Sequence, residues 1–172
     1  PDVVGISIGT RPDCINEEIL RLLQSYTRSH SVWIEYGLQS ANDFTLRLIN
    51  RGHFSHDFLR AVEMSRGRGF HIVAHIIIGL PGEGRRDVIN TARFISDCGV
   101  NGVKIHMLYV QEANELYHLF KKGLYRPLEL NEYVELVCDF LENLSPEIVI
   151  HRLTGDAHKG RLVAPLWSKN KQ

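Results

Sequence analysis

His71-Ile72-Val73-Ala74-His75-Ile76-Ile77-Ile78-Gly79-Leu80-Pro81-Gly82-Glu83 reads as a β-strand that ends in a tight turn and hands the chain to a helix. The run is β-branched and almost continuously apolar, the pattern of a parallel strand covered on both faces. Gly79, Pro81 and Gly82 punctuate its end, and a helical pattern over 86–98 follows. Working outward, strand-like runs at 3–9, 32–37, 102–110 and 147–153 alternate with helical patterns at 16–29, 43–50, 55–68, 116–122 and 130–144. This is the rhythm of βα units on a parallel sheet, either an α/β barrel or an open doubly wound sheet. A complete eight-stranded barrel takes about 250 residues and at least about 200. The 172 residues here therefore predict an α/β chain forming a partial TIM-type (βα) barrel.

The helical patterns carry their own start and stop signals. Asn16 suits an N-cap, and Ile19, Leu22, Leu23 and Tyr26 form a stripe that would pack on the sheet. Ser55 suits the next cap, with Phe58, Leu59 and Val62 as the buried face and Gly69 as the stop. The last helix would bury Tyr133, Leu136, Val137, Phe140 and Leu141. Residues 1–154 read as the barrel part and 155–172 as a basic tail of the same domain, with Lys159, Arg161, Lys169 and Lys171 against Asp156. That tail is expected as a solvated terminus, with a phosphate-contacting arm as the other reading.

Twenty Lys plus Arg balance twenty Asp plus Glu, so no global field draws the chain onto nucleic acid or an anionic membrane. No apolar run approaches the roughly 20 residues that span a bilayer, so no membrane partner is expected. Cys14, Cys98 and Cys138 lie far apart with no CxxC pair. They read as reduced thiols of a cytoplasmic protein, not a disulfide scaffold, a zinc site or a complete iron–sulfur site, and no metal ligands are expected in this chain. The chain begins Pro-Asp and runs at once into apolar residues, as would a piece of a longer protein.

Polar residues inside parallel strands demand an explanation. Glu35, His75, Lys104, His106 and His151 stand in strand-like runs, with Gln39 just beyond one. Side chains alternate with period two, so Glu35, Gly37 and Gln39 share a face, as do His75, Ile77 and Gly79, and separately Lys104 and His106. One placement sends all of these into the barrel, with Gln39, Gly79 and His106 towards the C-terminal strand ends where ligand sites sit. A buried lysine needs a carboxylate or a ligand anion, and Glu35 could be that partner. The Gly79–Glu83 turn could bring backbone N–H groups close to a ligand. It lacks the GxGxxG and Gly-Lys-Ser/Thr phosphate signatures, and the chain has no Gly-x-Ser-x-Gly elbow or HExxH helix.

Taken together, Gly5-Ile6-Ser7-Ile8-Gly9-Thr10-Arg11-Pro12-Asp13, Glu35-Tyr36-Gly37-Leu38-Gln39-Ser40, Asn50-Arg51-Gly52-His53 and Ile78-Gly79-Leu80-Pro81-Gly82-Glu83 resemble the radical S-adenosylmethionine (radical SAM) enzymes. The order is similar to the group with the Elongator catalytic subunit and the oxygen-independent coproporphyrinogen dehydrogenase. Val103-Lys104-Ile105-His106 and His151-Arg152-Leu153-Thr154-Gly155-Asp156, through Pro165-Leu166-Trp167, add a likeness to YhcC/YtqA-type proteins. The resemblance implies strands three to seven of a radical SAM barrel. In such families a 4Fe–4S cluster on a CxxxCxxC loop reduces SAM to a 5′-deoxyadenosyl radical, fed by a donor such as flavodoxin or ferredoxin. That loop is not in this sequence, so the cluster is expected only in a full-length parent and this chain alone is expected to be inactive.

The resemblance further implies SAM contacts by Gln39, Ser40, Arg51, Ile77, Gly79 and Glu35. An amide and a guanidinium suit the methionine amino and carboxylate groups, although Arg51 also reads as a helix C-terminal cation. Ile77 and Gly79 would lie along the adenine. Lys104 and His106 are the candidate catalytic residues, with Arg11, His75 and His151 towards the substrate. The family likeness points to a tRNA wobble uridine as substrate. Gly9 and His75 depart from the acidic residues of several relatives at matching positions. Two other readings stay open: a metal-dependent barrel hydrolase or isomerase using Glu35, His75, His106 and His151, and a non-catalytic nucleotide- or RNA-binding module. A partial barrel exposes edge strands, which predicts self-association through 3–9.

Overall fold

The computed structural model describes residues 2–156 and 160–169. Five parallel strands, β1 (Gly5–Thr10), β2 (Ser31–Gln39), β3 (Phe70–Ile78), β4 (Gly102–Met107) and β6 (Val149–Arg152), form one sheet in chain order. Each new strand adds to the same edge with no reversal, which is barrel winding and not the switch-point order of a doubly wound sheet. The chain is an α/β fold built as part of such a barrel.

One sheet face carries the core. Val32, Ile34, Tyr36 and Leu38 of β2 are fully buried, as are or nearly are Ile72, Ala74, Ile76 and Ile78 of β3 and Val103, Ile105 and Met107 of β4. Against this face lie α1 (Glu17–Tyr26), α3 (Ser55–Ser65), α4 (Arg85–Asp97) and α6 (Leu130–Glu142), through Leu20, Phe58, Val62, Val88, Ile95, Tyr133 and Phe140. Inside the core the Tyr36 hydroxyl meets Ser65 Oγ at 2.7 Å, so neither buried hydroxyl is orphaned. The alternate residues of the same strands line the opposite, concave face.

Several local expectations change. Asn16 does cap α1, its Oδ1 accepting from the Ile19 amide at 2.9 Å. The helix is rotated from the expected stripe: Leu20 and Leu23 are buried while Ile19, Leu22 and Tyr26 stay exposed, because α1 flanks the edge strand and packs one side only. Ser55 is the first residue of α3 and not its cap; its amide donates to Asp43 Oδ1, and the Phe54 amide donates to Asp57 Oδ2. That helix ends at Ser65, before Gly67 and Gly69, and Leu59 is partly exposed.

The single strand expected over 102–110 is two. β4 stops at Met107, the Leu108 amide donates to the Ile78 carbonyl, and the chain turns away into β5 (Val110–Gln111). β5 pairs antiparallel with β7 (Leu162–Ala164). The described part of the tail is therefore packed, not a free solvated end: Trp167 lies against Tyr133 and donates to the Leu128 carbonyl. Lys159 and Lys171, two of its basic residues, lie outside the described residues. Two short helices complete the chain, α2 (Asp43–Leu48) after β2 and α5 (Glu115–Lys121) after β5.

Candidate functional site

The concave face is built in three layers that follow the strands from their N-terminal to their C-terminal ends. In the first, Trp33 of β2 stacks on His71 of β3 with ring centroids 4.3 Å apart, and His151 of β6 meets Trp33 edge-on at 5.2 Å. A Cβ on Gly102 would run into the His151 ring, so the glycine makes this layer possible.

In the middle layer Glu35 collects three donors. Its Oε1 accepts from Ser7 Oγ at 2.5 Å and Lys104 Nζ at 2.5 Å, and its Oε2 lies 2.7 Å from His75 Nε2. The carboxylate side chain is 12% exposed, that of Lys104 23%. Burial would raise the Glu35 carboxyl, but the hydrogen bonds from Lys104, Ser7 and His75 outweigh it and bring it down to about 2. Burial lowers His75 despite its bond to Glu35, so it stays neutral at pH 7. The His75 and His106 rings are 5.2 Å apart. Burial, then the charge of Arg152, pushes His106 down to about 4, and Arg152 Nη2 lies against that ring.

The third layer sits where β2 ends. A bulge lets Gly37 pair with His75 and Gln39 with Ile76, and Gln39 adopts a left-handed φ of 73°. A non-glycine residue in that region costs on the order of 1–3 kcal/mol and persists where the surroundings hold it, commonly at functional sites. Gln39 Nε2 and Arg51 Nη2 both lie over Gly37, 2.7 and 2.6 Å from where a Cβ would stand, so any larger residue there would push both side-chain ends from these positions. Arg51 Nη2 donates to the Gly37 carbonyl at 3.1 Å, and His53 Nε2 lies 2.9 Å from the same oxygen. Arg51 thus crosses to the strand instead of capping the carbonyls of α2. Its Nε, and His53 Nδ1, are buried with no hydrogen-bond partner. Burial and the neighbouring Arg11 lower the Arg51 guanidinium, and burial lowers His53. Arg11 stands at the rim, paired with Asp13 and donating to the Gly52 carbonyl at 3.3 Å.

Of the sequence-predicted residues, Glu35, His75, Lys104 and His106 come together, and Gln39, Arg51 and Arg11 gather at the strand ends above them. Ile77 pairs with His106 in register on the same face. Three others sit differently. Ser40 is buried and donates to Glu83 while accepting from the Asn42 amide, which commits its hydroxyl to the turn before α2. The Gly79 backbone is not bare: Tyr125 donates to its carbonyl at 2.9 Å and Leu128 lies over its Cα. His151 stays in the Trp33 layer, at the far end of the face from Gln39. A β-bulge between Val103/Lys104 and Ile150/Arg152 is the reason, and it puts Arg152 opposite Lys104. Sequence reasoning gave no role to Ser7, His53 or Arg152. Ser7 was readable from its alternation with Gly5 and Gly9, and His53 from its motif; Arg152 was not, because the bulge reverses the side on which it falls.

This geometry also bears on the hydrolase reading. Glu35 is held by an ammonium, His151 lies apart from His75 and His106, and among the described residues no three His, Cys, Asp or Glu side chains are grouped to hold a metal ion.

The model of the radical SAM superfamily matches residues 1–95, and that of the radical SAM C-terminal domain matches 100–172. The chain belongs to the radical SAM superfamily. It is 41% identical to the protein MJ0486 of Methanocaldococcus jannaschii over 96% of this chain and 52% of that one. It is 39% identical to the Bacillus subtilis protein YtqA over 99% of this chain and 53% of the relative. The solved structure of the archaeal Methanocaldococcus infernus Elp3 with an N-terminal deletion superposes with a TM-score of 0.80 at 26% identity, over 93% of this chain and 38% of that one. The chain thus spans about half the length of the curated relatives it matches.

Two groups come with the superfamily, and the residues present fit one of them. The partnerless Arg51 Nε and the Gln39 amide, both aimed over Gly37, suit the carboxylate and amino group of a methionine moiety. The 4Fe–4S cluster finds no ligand set here, since Cys14, Cys98 and Cys138 occupy separate elements and Cys98 is buried with its thiol pushed up to about 11.

Proposed function

We propose that this chain is the SAM-holding part of a radical SAM enzyme that acts on a tRNA wobble uridine. Bound SAM would supply a 5′-deoxyadenosyl radical for hydrogen abstraction, its S–C5′ bond cleaved, with methionine released, by one electron from a reduced 4Fe–4S cluster. The chain's own residues do the holding. Arg51 offers a fixed fork, including the unsatisfied Nε, to the methionine carboxylate, and Gln39 takes the amino group. Ile77 forms an apolar wall beside the nucleoside. Tyr125 and Leu128 fix the Gly79 turn behind it. Lys104 and His75 keep Glu35 ionised below the reacting region, and His106 stays neutral beside it, its ring against Arg152.

The observation that carries the reading is the convergence of Gln39 and Arg51 over Gly37 with a buried guanidinium nitrogen left unsatisfied. Calorimetric titration of the full-length protein with SAM tests it. Arg51→Ala and Gln39→Ala should each weaken binding about 10- to 100-fold, about 1–3 kcal/mol for hydrogen bonds to charged groups. Unchanged affinity in both variants refutes the assignment. The tRNA part rests on likeness to Elongator-type relatives, which are about 30% identical to this chain over 28% of their length. It predicts SAM cleavage stimulated by tRNA and weakened by salt; cleavage indifferent to both removes it.

A further inference from the structure

The concave face carries a cation that the reading above leaves without a task. Arg152 projects from β6 opposite Lys104, and its Nη2 lies against the His106 ring. Its Nε is buried with no hydrogen-bond partner, and it forms no ion pair with another described residue. Lys104 is already engaged by Glu35. The middle layer therefore holds two cations, one carboxylate and two imidazoles kept neutral by burial. One positive charge is in excess in a half-buried cleft, which is costly until an anion completes it.

We propose that Arg152, with Lys104 beside it, binds the carboxylate group of a second substrate, a small carboxylate compound used together with the uridine, which itself carries none. The carboxylate lies side-on against the Nε–H and Nη2–H of Arg152, two parallel donors that match its planar pair of oxygens. It takes the place that the His106 ring holds at Nη2 in the structure described here. A single negative charge balances the excess, whereas a phosphate dianion would overshoot it. The site is distinct from the one over Gly37: Arg152 adjoins the middle layer, while Arg51 stands at the strand ends. The inference deepens the proposed function, since it rests on the concave face being the substrate side of a radical SAM barrel.

The test uses ring-¹⁵N-labelled histidine in the full-length protein, titrated with acetate and, separately, inorganic phosphate at constant pH and ionic strength. The His106 resonances should move saturably with acetate and more weakly with phosphate. Arg152→Gln should weaken the acetate response at least tenfold. Arg152→Lys, which keeps the charge and loses the fork, should weaken it as well. No saturable His106 shift in the wild-type protein overturns the proposal whether or not the variants fold, and so does an undiminished response in Arg152→Gln. Phosphate binding more tightly than acetate also overturns it. SAM titrated into the same samples separates the two claims: normal SAM binding beside a failed acetate response refutes this inference alone, and absent SAM binding refutes the reading on which it rests.

Discussion

Replacing Glu35 by Gln should remove an acid-sensitive component of stability. The carboxylate holds Ser7, Lys104 and His75 together on three different strands, β1, β4 and β3, so it ties the concave face across the sheet. Its pKa lies at about 2 against an ordinary 4.5. A depressed carboxyl adds stability that is full above pH 4.5 and is lost as pH falls towards 2, because the unfolded chain takes up the proton first. The shift corresponds to about 3 kcal/mol at most, at 1.36 kcal/mol per pKa unit. Lys104 and His75 are each more than a fifth exposed, and solvent screening reduces the figure to about 1–2 kcal/mol. Denaturant unfolding of wild-type and Glu35→Gln full-length protein, from pH 6 to the acid limit of folding, should give curves that converge on acidification. The variant should be less stable near neutrality, where it leaves the Lys104 ammonium without its carboxylate. Curves that stay parallel through this window would refute the claim that Glu35 is ionised and paired.

Three further outcomes follow from the packing. Gly37→Ala drives a Cβ into Arg51 and Gln39 at 2.6 and 2.7 Å, so SAM affinity should fall at least tenfold in calorimetry while the neighbouring Gly9→Ala, with open space around its Cβ, leaves it unchanged. Tyr36→Phe strands the buried Ser65 hydroxyl and should cost about 1–3 kcal/mol in denaturant unfolding; the double variant with Ser65→Ala should recover part of that. Chain 1–172 alone should associate through the β1 edge and the exposed Ile19, Leu22 and Tyr26 of α1, and a monomer in concentrated solution by light scattering contradicts this.

How much of this was readable beforehand depends on whether a residue's position follows from period and punctuation alone. Strand alternation placed Glu35, His75, Lys104 and His106 on one face, and the cost of a buried lysine pointed to Glu35 as its partner. Bulges break this alternation. The irregularity after Gly37 turned Gln39 inward through a left-handed backbone, and the one before Lys104 exchanged His151 for Arg152. Neither leaves a mark in hydrophobic pattern, since one extra residue reverses every later side chain. The α1 stripe failed for a different reason. Periodicity shows that a helix has an apolar face but not which part of it the sheet reaches, and beside an edge strand only Leu20 and Leu23 are reached. β5 and β7, two and three residues long, are too short to carry a pattern.

The most direct test of the central claim is whether the full-length protein, reconstituted and reduced without oxygen, forms 5′-deoxyadenosine from SAM in a way that depends on Arg51. The wild-type protein should give that product, with Arg51→Lys raising the KM for SAM more than it lowers kcat. No 5′-deoxyadenosine from a cluster-loaded protein, or unchanged kinetics in Arg51→Lys, would contradict it.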